Sequence, residues 1–289
     1  MTDAYLDNWY STHPQWKLAD TQIASLKQFF HGESSPLDAA KQLARYPEAA
    51  DTPMEMRLRV MALWELLTDT AVKRPSTQPS IISLLRAIRT LPKVNEPSGE
   101  GEEWIDLHDG LIWHAMMHWA DDWYDCFNSW SAQFLIEKAP SDQERQSRKA
   151  DWTSACAFAA RLDATDDEYL SSDRAGLERA TGAIADALES DCRDNKEPDS
   201  LSAAAEIFKH AASTVYARCL EGKDTGMANA TDGDLWNGER GFNMARWAFW
   251  EERWAGFARN ENFSSEARGV AEHALAAMKA GAGRHNMTA

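Results

Sequence analysis

Between His108 and Asp125 the chain reads HDGLIWHAMMHWADDWYD, and its polar residues are spaced for chemistry. His114, His118, Asp121 and Asp125 follow at i, i+4, i+7 and i+11, so one helix would set them on a single face with Asp122 at its edge. A His-x3-His pair with a carboxylate one turn on is a donor set that suits a divalent metal ion. Without a metal, His118 and Asp122 are the groups that would move a proton. The opposite side, with Ile112, Trp113, Met116, Met117, Trp119 and Trp123, is broadly apolar. The polar strip is therefore also what an ordinary amphipathic helix turns to solvent.

A second stretch, LWNGERGFNMARWAFWEERWAGFA from Leu235 to Ala258, holds four of the chain's 13 tryptophans. At helical spacing Trp247, Trp250, Trp254 and Phe257 fall within one narrow arc, and Arg246 and Arg253 line its margin. Such a stripe is either a packing seam between helices or the wall of an apolar cavity with an arginine at its rim. In the second case Trp123, Trp247, Trp250 and Trp254 would hold an apolar substrate. Arg246 or Arg253 would polarise its carbonyl, and His118 or Asp122 would move the proton.

Asp121–Asp125, DDWYD, also matches the DDxxD pattern with which class I terpene cyclases hold magnesium for a substrate diphosphate. The second metal motif of those enzymes is only partly met by PDSLSAAAE. Asp199, Ser202 and Glu206 fit, Pro198 stands in place of the first ligand, and no basic cluster lies nearby. Other templates are missing: there is no GxGxxG after a strand, no Walker loop, no GxSxG, no HExxH and no CxxC.

The elements that must carry these residues read as helices. Ser35-Pro36 and Thr52-Pro53 each place a capping hydroxyl before a proline in the first helical turn. Ser141-Asp-Gln-Glu144 has capping-box spacing. Gly222 stops the helix that begins near Ser200. No run of alternating β-branched residues points to a strand. The expectation is an all-α fold of about ten helices without a sheet. It has an N-terminal helical segment (1–92) packing on the main domain, and a Gly/Pro/Glu-rich linker-like loop (93–106). A Trp-rich helical core (107–280) with a long helix over about 107–127 and a disordered tail (281–289) complete it.

Thirty basic against 46 acidic side chains give a net charge of −16, which disfavours nucleic acid and anionic membranes as partners. The start has no signal-peptide pattern and no stretch approaches a membrane span, so a cytoplasmic protein with reduced thiols is expected.

The pattern F-x-x-x-R-W-x-F-W-x-x-R, carried by Phe242, Arg246, Trp247, Phe249, Trp250 and Arg253, resembles the C-terminal part of a fungal helical family, domain of unknown function 3632. The segments AFAARLDATDDEYLSSDRAGLERATGAIADALE and AAAEIFKHAASTVYARCLEG are similar to it as well. The resemblance covers about Asp151 to Phe257. It implies a fungal, intracellular, all-helical protein of accessory metabolism, and supplies no catalytic residues. The function expected from the residues is a small-molecule enzyme of cyclase or isomerase type, of fungal secondary metabolism, working on an apolar substrate without a cofactor. A non-catalytic helical interaction protein and a metal-dependent terpene-type cyclase are the alternatives. A second copy of the chain is an admissible partner.

Overall fold

In the computed structural model the described residues are 2–130, 136, 138–171, 177, 180–191, 196–222 and 235–288. Among them every regular element is helical, and none is a strand. No helix among them is long and apolar enough to cross a membrane. The chain divides into two units, Met1–Cys126 and Phe127–Ala289.

The first unit begins with α1 (Thr2–Thr12), α2 (Asp20–Phe30), α3 (Pro36–Glu48), α4 (Pro53–Lys73) and α5 (Gln78–Ile88). Both Pro-led starts form as the sequence dictates: the Ser35 hydroxyl accepts from Asp38 N at 3.1 Å, and that of Thr52 from Glu55 N at 3.2 Å. Helix α3 packs against α2, α4 and α5. Helix α4 is deeply buried, with Val60, Leu63, Trp64, Leu66 and Leu67 fully enclosed.

The long helix expected over about 107–127 is only half formed. Helix α6 (Trp119–Trp130) starts at Trp119, and residues 108–118 are a succession of tight turns. His108, Asp109, Met116 and His118 all take positive φ, between 51° and 60°, as does Gly110 at 77°. Tertiary contacts override helix propensity here. Val94 N donates to Gly110 O (2.9 Å), Trp64 Nε1 to Met117 O (2.8 Å) and Trp113 Nε1 to Glu48 Oε1 (2.8 Å). The Trp64 ring also meets Trp113 and Trp119 edge-on, at 6.1 and 5.5 Å. Gly110 is obligatory: a Cβ there would stand 2.4 Å from the Val94 carbonyl oxygen.

The second unit contains α7 (Asp142–Asp163), the short α8 (Thr181–Ile184), α9 (Leu201–Glu221), α10 (Met244–Arg259) and α11 (Ser265–Thr288). Its axis is α9, packed on α7, α10 and α11. Small residues let α11 come close: a Cβ on Gly281 would sit 2.7 Å from that of Ala212. Helix α11 continues through 281–288, where the sequence suggests a disordered tail. Directly after α8, Ala185–Glu189 widens into a turn of π-helix. Residues 172–176, 192–195 and 223–234 lie outside the described residues.

Candidate functional site

The Trp stripe of α10 is enclosed. Trp247, Trp250, Trp254 and Phe257 are at most 4% exposed, and the Phe208 ring of α9 meets the three indoles edge-on at 6.0, 5.9 and 6.2 Å. The arginines are enlisted in the same packing. Arg246, 2% exposed, grips the fully buried Glu189 through Nε and one terminal nitrogen, both at 2.6 Å, and donates to Gly241 O at 3.1 Å. Trp250 Nε1 donates to the same carboxylate at 2.8 Å. Arg253 Nε donates to Leu188 O at 2.8 Å, satisfying a carbonyl that the π-turn leaves over. Four of the six residues in the F-x-x-x-R-W-x-F-W-x-x-R pattern thus meet the end of the π-turn or Arg246's surroundings: Phe242 packs edge-on to Trp250 at 6.5 Å, and Arg246, Trp250 and Arg253 bond to it. A bidentate guanidinium–carboxylate pair with a third donor fixes register and orientation. Glu189, its centre, gave no signal in the sequence beyond being an acid in a helical run.

The polar residues of 108–125 fall in the first unit and end up elsewhere than on one face. His114 is exposed, and His118 sits in the turn before α6 rather than on it. Among the described residues no three His, Cys, Asp or Glu side chains are grouped to hold a metal ion, so His114, His118, Asp121 and Asp125 do not form the donor set their spacing offers. In the second unit Asp199 is paired with Arg145 and Lys149, and Glu206 with Lys209 and His210. The residues of the second terpene-cyclase motif therefore have structural partners.

His118 does line a cleft of about 390 Å³, together with Arg57, Trp104, Ile105, Asp106, His108, Ala115, Met116, Ala120 and Asp121. This volume lies in the range of small-molecule sites. The floor is the strained turn segment: His108, Met116 and His118, all at positive φ, are in the lining. Each such non-glycine residue costs about 1–2 kcal/mol, and strain of this kind collects at sites that use it. His118 Nε2 is enclosed and has no hydrogen-bond partner, and neither has Arg57 Nε. Burial, then the Arg57 charge, lowers the pKa of His118 below its ordinary 6.5, so the imidazole is neutral at physiological pH. One turn on, Asp122 donates its amide to His118 O at 2.9 Å. Burial, reinforced by Glu65, Asp121 and Asp125, pushes the Asp122 carboxyl up to about 7, and its Oδ2 has no partner. Trp104, 64% exposed, stands at the mouth with the Arg57 guanidinium 5.4 Å from its ring centre. Trp123 is buried and does not line the cleft. Sequence reasoning missed Arg57 and Trp104. The lone tryptophan in the acidic loop GEGEEWID was the available signal.

A family profile described as a protein of unknown function, DUF3632, matches residues 64–254. The chain belongs to this family. The DUF3632 match starts at Trp64, far ahead of the Trp-rich end that carries the resemblance in sequence, and it takes in the turn segment with His118 as well as the Glu189–Arg246 pair. No curated protein and no solved structure matches the chain.

Proposed function

We propose that this DUF3632 protein is a cytoplasmic enzyme that moves a proton on a small, largely apolar carbonyl compound, an isomerase or cyclase of secondary metabolism, at the His118 cleft. The observation that carries the reading is His118 itself: a neutral, unpartnered imidazole on strained backbone in the wall of a cleft. A base of lowered pKa abstracts a proton adjacent to a carbonyl, the Arg57 guanidinium holds the charge that develops on the oxygen, and Trp104 and Met116 pack on the apolar body. Asp122 does not line the cleft, but its carboxyl, pushed up to about 7 one turn on from His118, is the group suited to return a proton. This chemistry asks for placed polar groups and exclusion of water rather than a redox group. Arg246, Arg253 and the α10 tryptophans have no part in it, because both arginines are bonded to the 188–189 turn and the indoles are buried against Phe208.

The test is deuterium incorporation. The protein is incubated in D2O with a panel of enolisable ketones, aldehydes and keto acids, and products are read by mass spectrometry. At least one compound is expected to gain a deuterium, with the rate falling about hundredfold or more in His118→Gln. Exchange that survives in His118→Gln removes the base from the scheme. No exchange with any compound favours the second reading, a non-catalytic helical interaction protein. That reading draws support from the sealing of the Trp247–Phe257 face and from the net charge of −16.

A further inference from the structure

Helix α1 packs on α2 and is fastened by a histidine at each end. At its start, Asp3 lies 3.2 Å from Nε2 of His31, the residue that ends α2, and His31 Nδ1 is also 3.9 Å from Glu33. Just past its end, His13 stacks on the Trp9 ring at 4.3 Å and sets Nε2 before two α4 carboxylates, 3.8 Å from Glu65 and 3.6 Å from Asp69. The other nitrogen, Nδ1, is surrounded by acceptors: Trp9 O at 3.1 Å and Thr12 Oγ1 at 2.9 Å, a hydroxyl that itself donates to Trp9 O. Nδ1 therefore carries the proton of the neutral ring, and Nε2 meets Glu65 and Asp69 with a lone pair unless a second proton is bound. More charge surrounds this point. Tyr5 OH donates to Asp69, and the Arg74 guanidinium lies 4.6 Å from the Tyr5 ring centre. From α6, Cys126 Sγ donates to Glu65 Oε2 at 2.6 Å, and the buried Asp122 carboxyl feels the Glu65 charge. The rest of the hold on α1 is the Asp7–Lys27 pair and the buried Leu6 and Trp9, and Trp9 Nε1 is enclosed without a partner.

We infer that α1 is a pH-operated clasp, closed on α2 and α4 while His13 and His31 are charged and opening as the pH rises through neutrality. Imidazole is the side chain that changes charge between pH 5 and 8. An imidazolium facing carboxylates contributes to closure at mildly acidic pH, and that contribution is lost as the pH rises. Asp122, whose carboxyl is pushed up to about 7 by burial and then by Glu65, gains its charge over the same range. Both changes make the surface under the end of α1 more negative, so they act in one direction. Opening lets water reach Glu65 and Asp69 and gives the enclosed Trp9 N–H a partner. A terminal helix with two buried apolar side chains is the kind of element that opens locally while the rest of the fold stays closed.

The experiment is amide hydrogen exchange of the full chain at mildly acidic, neutral and mildly alkaline pH, with labelling times scaled for the intrinsic pH dependence of exchange and peptides read by mass spectrometry. Protection over α1 is expected to fall about tenfold or more from the acidic to the alkaline condition, while that of α3 stays constant. Glu65→Gln should keep α1 protected in the alkaline condition. The double variant His13→Gln/His31→Gln should lower its protection in the acidic condition and flatten the profile. Unchanged protection of α3 in each variant shows that the rest of the unit stays folded. Protection of α1 that does not vary with pH, a fall shared by α3, or a profile unaltered in the double variant overturns the proposal. A fall that survives the histidine changes and disappears in Asp122→Asn would place the titration on α6 and overturn it equally. The clasp does not depend on the chemistry at His118, and failure of the deuterium incorporation test has no bearing on it.

Discussion

Asp122→Asn should make the protein more stable, and only above acidic pH. In the native state the carboxyl holds its proton up to about 7, against an ordinary value of 3.8. Between these two values the native state binds more protons than the unfolded chain, so stability falls as pH rises through this window and levels off above it. A gap of about 3 units corresponds to about 4 kcal/mol at 1.36 kcal/mol per unit, an upper bound because water penetration and local relaxation soften the burial. Asparagine has the same shape, carries no charge and removes the repulsion from Glu65, Asp121 and Asp125. Urea unfolding followed by circular dichroism, wild type against Asp122→Asn, should show a difference near zero at pH 4 that grows to about 2–4 kcal/mol in favour of the variant at pH 8. A difference of the same size at both pH values would mean that the carboxyl titrates normally. The return of a proton assigned to Asp122 would then fall with it.

Three further outcomes follow from the same geometry. Glu189→Gln strands the Arg246 charge in the core and should destabilise the second unit by about 3–5 kcal/mol, whereas the double variant Glu189→Leu/Arg246→Met should recover most of that loss in urea titrations; a double variant as weak as the single would show that the stranded charge is not the cause of the loss. Arg57→Leu removes one of the two main causes that depress His118, so its NMR titration midpoint should rise while staying below 6.5, burial being the larger cause; no movement would take Arg57 out of the site. Gly110→Ala meets both the Val94 carbonyl and a φ of 77°, and should cost about 1–3 kcal/mol or more in thermal unfolding, while Gly256→Ala, on α10 with open space around it, should be neutral to stabilising.

The helices were legible wherever a cap and a period agreed. Thr52-Pro53 and Ser141 begin α4 and α7 at the positions their capping groups dictate, because those signals act within one turn of chain. The stretch 108–118 was misread as helix for the converse reason. Its conformation is decided by Val94, Trp64 and Glu48, which lie many residues away, and only Gly110 hinted locally at a break. The metal face drawn from His114, His118, Asp121 and Asp125 depended on that helix and disappeared with it. The Trp stripe was correctly placed on a helix, yet Arg246 differs from a surface arginine through Glu189, 57 residues upstream, and Arg253 through the Leu188 carbonyl, and periodicity carries no information about such pairings. His118 and Asp122 stayed candidates on side-chain type alone, while Arg57 needed the fold to bring it to them.

The indole packing has an optical consequence. Trp64, Trp113 and Trp119 are stacked edge-on within the first unit, close enough for their excited states to couple, whereas Trp247, Trp250 and Trp254 surround one phenylalanine in the second, with the Glu189–Arg246 pair against Trp250. Each unit therefore carries its own chromophore array in its own electrostatic setting. Near-ultraviolet circular dichroism and fluorescence weigh these arrays differently, so melting curves from the two methods will coincide only if the units lose their structure in one cooperative step.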